Sequence, residues 1–149
     1  MAVKKATPEK PVKASKVFSK FERDAMVERA REVKAERAGA DLEAEVVAKI
    51  DAMAPADRAM ARRIHEIVKT IAPDLKAKLW YGMPAYYKDG KALCFFQDAQ
   101  KFKARYATFG FNDVAKLDDG DVWPISYAVR KLSSADEARI AALVKKAVS

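Results

Sequence analysis

The chain has one cysteine, one histidine, five glycines and six prolines among 149 residues. With Cys94 alone no internal disulfide can form, which excludes a disulfide-stapled scaffold and fits a reducing compartment. With His65 alone, paired-histidine zinc motifs such as H-E-x-x-H are excluded. No apolar run approaches the roughly 18 residues of a membrane-spanning helix. Residues 1–16 lack the apolar stretch of a secretory signal, so a cytoplasmic protein with no membrane partner is expected. The sequence also lacks G-x-S-x-G, Walker A and G-x-G-x-x-G motifs. With no visible acid–base pair, a non-enzymatic protein is expected.

Half of the residues are hydrophobic and about a third are charged, the balance of a globular chain. The formal net charge is +8, which by itself suggests a nucleic-acid or membrane-surface partner. Six lysines and one acid within residues 1–20 supply five of those eight units. The remainder is nearly balanced, so the basicity belongs mainly to an N-terminal arm.

The sequence divides into three parts. Residues 1–17, rich in Lys, Ala and Pro, are expected to be a disordered basic arm, with Pro8 and Pro11 blocking a helix. Residues 18–40 read as an amphipathic helix stopped near Gly39, with a thin apolar stripe of Phe21, Met26, Ala30 and Val33. Residues 41–149 read as one α+β domain. Asp41 is suited to cap a second helix carrying Leu42, Val46, Ile50 and Met53. Pro55 is suited to open a third, whose apolar face is Met60, Ile64, Ile67, Val68 and Ile71, with Pro73 ending it.

Twelve of the 14 aromatic residues then fall between Trp80 and Tyr127, a composition that favours strands. Asp89-Gly90 supplies the positive φ angles of a type I′ turn, which predicts a hairpin of Tyr86-Tyr87 with Leu93–Phe96. Simple alternation places Tyr86, Leu93 and Phe95 on one face and Tyr87, Cys94 and Phe96 on the other. Both faces are apolar. Either helices cover both, or the second face meets a ligand, a partner or another copy of the chain, a homodimer being the simplest cause. Further strands are expected over Phe102–Phe109 and Val122–Val129, the latter at an edge or a bulge because of Pro124. Ser134–Glu137 reads as a capping box opening a final helix. The expected fold is α+β: N-terminal helices, an antiparallel sheet of four to five strands, and a C-terminal helix.

The string Trp80-Tyr81-Gly82-Met83-Pro84-Ala85-Tyr86, followed by Asp89-Gly90-Lys91 and an apolar strand, resembles the YdhG-like family, a domain of unknown function. The resemblance runs from about Ile50 to Lys146. It implies a compact sheet flanked by terminal helices, as in frataxins. It also implies iron-chaperone activity, with iron as cargo and an iron-acceptor protein as partner.

Four groups of residues are candidates for binding. Asp118, Asp119 and Asp121 in one loop offer hard oxygen ligands for iron, although Asp-Asp-Gly is also ordinary turn chemistry. Asp24, Glu28, Glu32 and Glu36 form a ridge at helical spacing, interleaved with arginines and expected to be a solvated face. Lys101, Lys103 and Arg105 alternate beside aromatics and, with residues 1–16, can attract nucleic acid weakly and without sequence preference. Trp80, Tyr81, Met83, Tyr86 and Trp123 are candidates for a ligand or partner surface. His65 is expected at the rim of the third helix with its polar tip satisfied. Cys94 is expected to be buried and inert.

Overall fold

The computed structural model describes residues 19–37 and 41–149, so the expected arm and the Gly39 stop lie outside the described residues. Helix α1 spans Lys20–Arg37. The Ser19 hydroxyl accepts the Glu22 N–H at 3.1 Å, and the Glu22 carboxylate accepts the Ser19 N–H at 2.7 Å. This reciprocal pair satisfies two donors that the first turn leaves open. Helix α2 spans Leu42–Asp51 and is capped by Asp41, which accepts the Ala44 N–H. Helix α3, Pro55–Ile71, begins with proline where no N–H is needed. Its buried face is Asp57, Met60, Ala61, Ile64, Ile67 and Val68. Helix α4 spans Ser134–Val148. Its capping box is Ser133 with Asp136, one residue earlier than Ser134–Glu137. Ser133 holds the extended backbone that a cap requires, whereas Ser134 is already helical.

Between α3 and α4 five strands follow in chain order: β1 Lys76–Trp80, β2 Met83–Lys88, β3 Lys91–Gln97, β4 Ala107–Phe111 and β5 Ser126–Val129. They form one antiparallel meander in which each strand pairs with the next. The α+β architecture, with N-terminal helices before the sheet and a helix after it, is as expected. Two two-residue turns build the first three strands. Asp89 and Gly90 have φ of 50° and 80°, the expected I′ turn. Tyr81 and Gly82, at 53° and 79°, make a second turn of the same hand.

Two strands are shorter than alternation suggested. The segment from Phe102 to Tyr106 is loop, with Lys103 at a φ of 52°, so β4 begins only at Ala107. Likewise β5 begins at Ser126, beyond Pro124, and lies at an edge, one of the two placements expected from that proline.

The hairpin faces also need correction. Tyr86 pairs with Cys94 but Tyr87 pairs with Ala92, so Leu93 is an extra residue on β3, a β-bulge. Tyr86 therefore shares its face with Cys94 and Phe96, and the bulge turns Leu93 to that side as well. This face, with Ala77, Phe109, Phe111 and Val129, packs on α2, α3 and α4 to form the core. The opposite face carries Trp80, Met83, Ala85, Tyr87 and Phe95. Helix α1 lies against its β1–β2 side, so helices occupy both faces of the sheet.

Gly82 and Gly90 provide a matched test of the two turns. Both need positive φ, but a Cβ at Gly90 would meet open space, while one at Gly82 would stand 2.7 Å from Lys101 Nζ and 3.3 Å from Glu28. Chemical denaturation is expected to show a loss of about 1 kcal/mol for Gly90→Ala, from backbone strain alone. Gly82→Ala is expected to lose about 2–3 kcal/mol, because crowding adds to strain. Equal losses would mean that Lys101 and Glu28 give way freely.

Candidate functional site

The Tyr81-Gly82 turn, α1 and the loop 98–106 meet at one end of the sheet, and buried carboxylates hold them together. Glu32 is 7% exposed. It accepts the Tyr81 N–H at 2.8 Å and the Gly82 N–H at 2.5 Å, with Arg29 3.6 Å away. Glu28 lies 3.2 Å from Lys49 and 3.7 Å from Lys101. Burial pushes the Glu28 carboxyl up, but Lys49, Lys101 and Arg31 outweigh it and hold the pKa below the ordinary value. Glu36 pairs with Lys78, whose hydrogen bond lowers its pKa despite some burial.

Of the ridge Asp24, Glu28, Glu32 and Glu36, Asp24 and Glu36 are exposed as expected, whereas Glu32 is buried and Glu28 half-buried. Glu28, Glu32 and Glu36 bond across to α2, the Tyr81-Gly82 turn and β1, while Met26 and Val27 are exposed. The partners explain this: this part of the sheet presents turn N–H groups and lysines, which carboxylates satisfy and apolar side chains do not. Among the described residues one buried side-chain polar group has no hydrogen-bond partner, the Tyr87 hydroxyl beneath α1. Burial first, with Glu32 and Glu36 opposed by Arg29, pushes its pKa up to about 12.

The loop 98–106 is anchored from below. Asp57, in the first turn of α3 and 5% exposed, accepts the Gln100 N–H at 3.0 Å. Asp98 is equally buried, and burial raises its pKa, with Asp57 adding to the effect. From this base the loop presents Lys103 and Arg105 to solvent. Phe102 sits 6.3 Å from Phe21 of α1, and the Arg105 guanidinium lies 5.1 Å from the Tyr106 ring. A cleft of about 220 Å³ opens here, lined by Phe21, Tyr81 and Phe102 with Lys20, Lys101 and Lys103. Asp24 of the ridge lines it too. The Lys101, Lys103 and Arg105 group read from sequence is therefore brought beside aromatics, though from a loop and not along a strand.

The five aromatic-surface candidates are separated into three places. Trp80 and Tyr81 lie together, ring centroids 5.1 Å apart, and Trp80 also meets Phe95 at 5.2 Å. Met83 pairs with Trp80 but is buried. Tyr86 is wholly buried on the other face and so cannot share a surface with Trp80. Trp123 lies in the β4–β5 connection, beside exposed Val122 and Ile125. In that connection Asp118, Asp119 and Asp121 are all exposed. Asp118 and Asp121 line a depression of about 510 Å³ with Asp113, and Asp119 does not. Among the described residues no three acidic, His or Cys side chains converge as a metal-holding group.

His65 is tied at both nitrogens, Nδ1 lying 2.9 Å from Tyr86 Oη and Nε2 3.2 Å from Glu43. A neutral ring donating Nε2–H to Glu43 accepts the Tyr86 O–H at Nδ1. Glu43 is held below its ordinary pKa first by Lys69, then against some burial by His65 as well. Cys94 is fully buried, and burial pushes its thiol pKa up, as expected for an unreactive core cysteine. Burial likewise raises the Tyr86 pKa. No helix among the described residues is long and apolar enough to cross a membrane.

The fold and site define an α+β protein with helices on both faces of a five-strand meander and a basic, aromatic-lined end. Comparison with protein-family models, curated proteins and solved structures returns no match.

Proposed function

We propose that this chain is a non-enzymatic, cytoplasmic binding module that takes single-stranded nucleic acid at its basic–aromatic end. One observation carries this reading: exposed Lys103 lines a cleft with Phe21, Tyr81 and Phe102, and exposed Arg105 lies against Tyr106 in the same loop. Cations attract phosphates and ring faces stack on bases, a combination that tolerates any sequence. The lysines within residues 1–16 add positive charge to the same chain.

Anisotropy of a fluorescein-labelled oligothymidylate tests it. The Lys103→Glu/Arg105→Glu pair is expected to weaken binding about tenfold or more at moderate salt. Removal of residues 1–16 is expected to flatten the dependence of affinity on salt. Affinity untouched by both changes would reject the interface.

A second reading follows the resemblance to YdhG-like iron chaperones. On that reading the exposed Asp118, Asp119 and Asp121 dock Fe²⁺ reversibly at the surface for delivery to an acceptor protein, a role that rests on the resemblance, since they do not converge as a metal-holding group. Anaerobic calorimetry separates the two readings. Heat equal to that of Asp118/Asp119/Asp121→Asn would remove iron from consideration.

A further inference from the structure

We infer that the groove between β5 and α4 docks an extended acidic–apolar peptide segment of a partner protein. The groove encloses about 500 Å³. Val129 and Ile140 form its buried floor, and Leu132 and Leu143 are half-buried walls. Along one side runs β5, the outermost strand, whose outer row of backbone N–H and C=O groups has no strand neighbour. Such an edge takes an added strand through main-chain hydrogen bonds, with alternate side chains entering the pockets beside it. The other edge of the sheet differs: β1 carries Lys76 and Lys78, and both α1 and α2 pack against it.

Charge decides the occupant. Arg130, Lys131 and Arg139 rim the groove and are exposed, and Arg130 and Lys131 form no ion pair among the described residues. The Arg139 guanidinium is steadied 5.3 Å from the Tyr127 ring. The one acid in the lining, Asp136, is engaged by the Ser133 N–H in the α4 cap. A second copy adding its own β5 would set these cations against their duplicates, and the lysine arm of this chain would be repelled for the same reason. A peptide with acidic side chains or a terminal carboxylate at the rim, and apolar side chains at alternate positions on the floor, satisfies edge, floor and rim together. A nucleic acid would satisfy only the rim. The cations that follow β5, Arg130 and Lys131, also deter self-pairing of the edge.

An array of alternating acidic and apolar octapeptides, with lysine-substituted counterparts, is the probe. The strongest acidic binder is then titrated into the ¹⁵N-labelled full chain. Amide shifts are expected along β5 and α4. The exposed reversals Arg130→Glu and Lys131→Glu are each expected to weaken binding about tenfold while thermal unfolding is unchanged. The proposal is overturned if the acidic peptides bind no better than their lysine counterparts, if the reversals leave affinity intact, or if the shifts map to the Lys103–Arg105 end. Displacement of the peptide from this groove by oligothymidylate, or concentration-dependent dimerisation through β5, would assign it to another occupant. Because this groove and the basic–aromatic cleft use different residues, failure of either test leaves the other standing.

Discussion

Tyr86→Ala is expected to lower the unfolding free energy by about 4 kcal/mol, against about 1 kcal/mol for Tyr86→Phe. Tyr86 is among the largest fully buried side chains and sits between α3 and the inner face of the sheet. Removing its ring leaves a cavity bordered by close-packed neighbours that relax only partly. Phenylalanine keeps the ring and deletes only the partner of His65 Nδ1. The ring nitrogen is 2.9 Å from the lost hydroxyl but lies near the rim, where water can replace part of the bond. Urea titration of both variants checks the ordering. Equal losses would show that the His65 bond, not ring packing, carries the stability at this position.

The second large effect is expected at Glu32. Its carboxylate is buried and accepts two backbone N–H groups of a turn, each bond to a charged acceptor contributing a net stabilisation of about 1.5–3 kcal/mol. Glu32→Ala is expected to cost about 3 kcal/mol of α1 docking, and Glu32→Gln about half as much because the amide can still accept one N–H. Since α1 contributes nothing to the main core cluster, the damage is expected to be local. Hydrogen exchange should accelerate across Lys20–Arg37 while β2 and β3 keep their protection.

Acid should produce the same local release. Glu28 and Glu36 have pKa values lowered from 4.5 in the folded protein. A depressed carboxyl contributes stability that is complete above the unfolded value and is lost as pH falls through the folded one. Docking of α1 is therefore expected to hold above pH 4.5 and to weaken progressively below it. Protection of α1 that stays constant down to strongly acidic pH would contradict this account.

Local chemistry was legible in the residues. Asp89-Gly90 marks its turn because both positions favour positive φ, and α3 announces most of its buried face through the apolar period Met60, Ile64, Ile67 and Val68, though not the buried Asp57. The Tyr81-Gly82 turn was less legible, since tyrosine is a poor choice for a left-handed position. That conformation is held from outside, by Glu32 about fifty positions away in sequence. The same long-range cause reshaped α1: Met26 and Ala30 of its apolar stripe are exposed, because the opposing surface offers turn amides and lysines to Glu28, Glu32 and Glu36. Alternation over Phe102–Tyr106 misled because Asp57 captures the Gln100 amide and draws that segment into a loop. The basic–aromatic grouping was therefore visible as composition, while its placement beside Phe21 and Tyr81 depended on contacts far apart in the chain.

The extra residue at Leu93 keeps two demands on one hairpin from competing. A two-residue connection at Asp89-Gly90 sets Lys88 opposite Lys91, whereas the interior needs Tyr86 opposite Cys94, one step out of phase. Leu93 absorbs that step. The tip and the interior can thus change independently, as a slip joint lets one end of a shaft move while the other stays fixed. A chain shortened at Leu93 would lose that freedom: either the tip would open, or Cys94 and Phe96 would turn away from the helices.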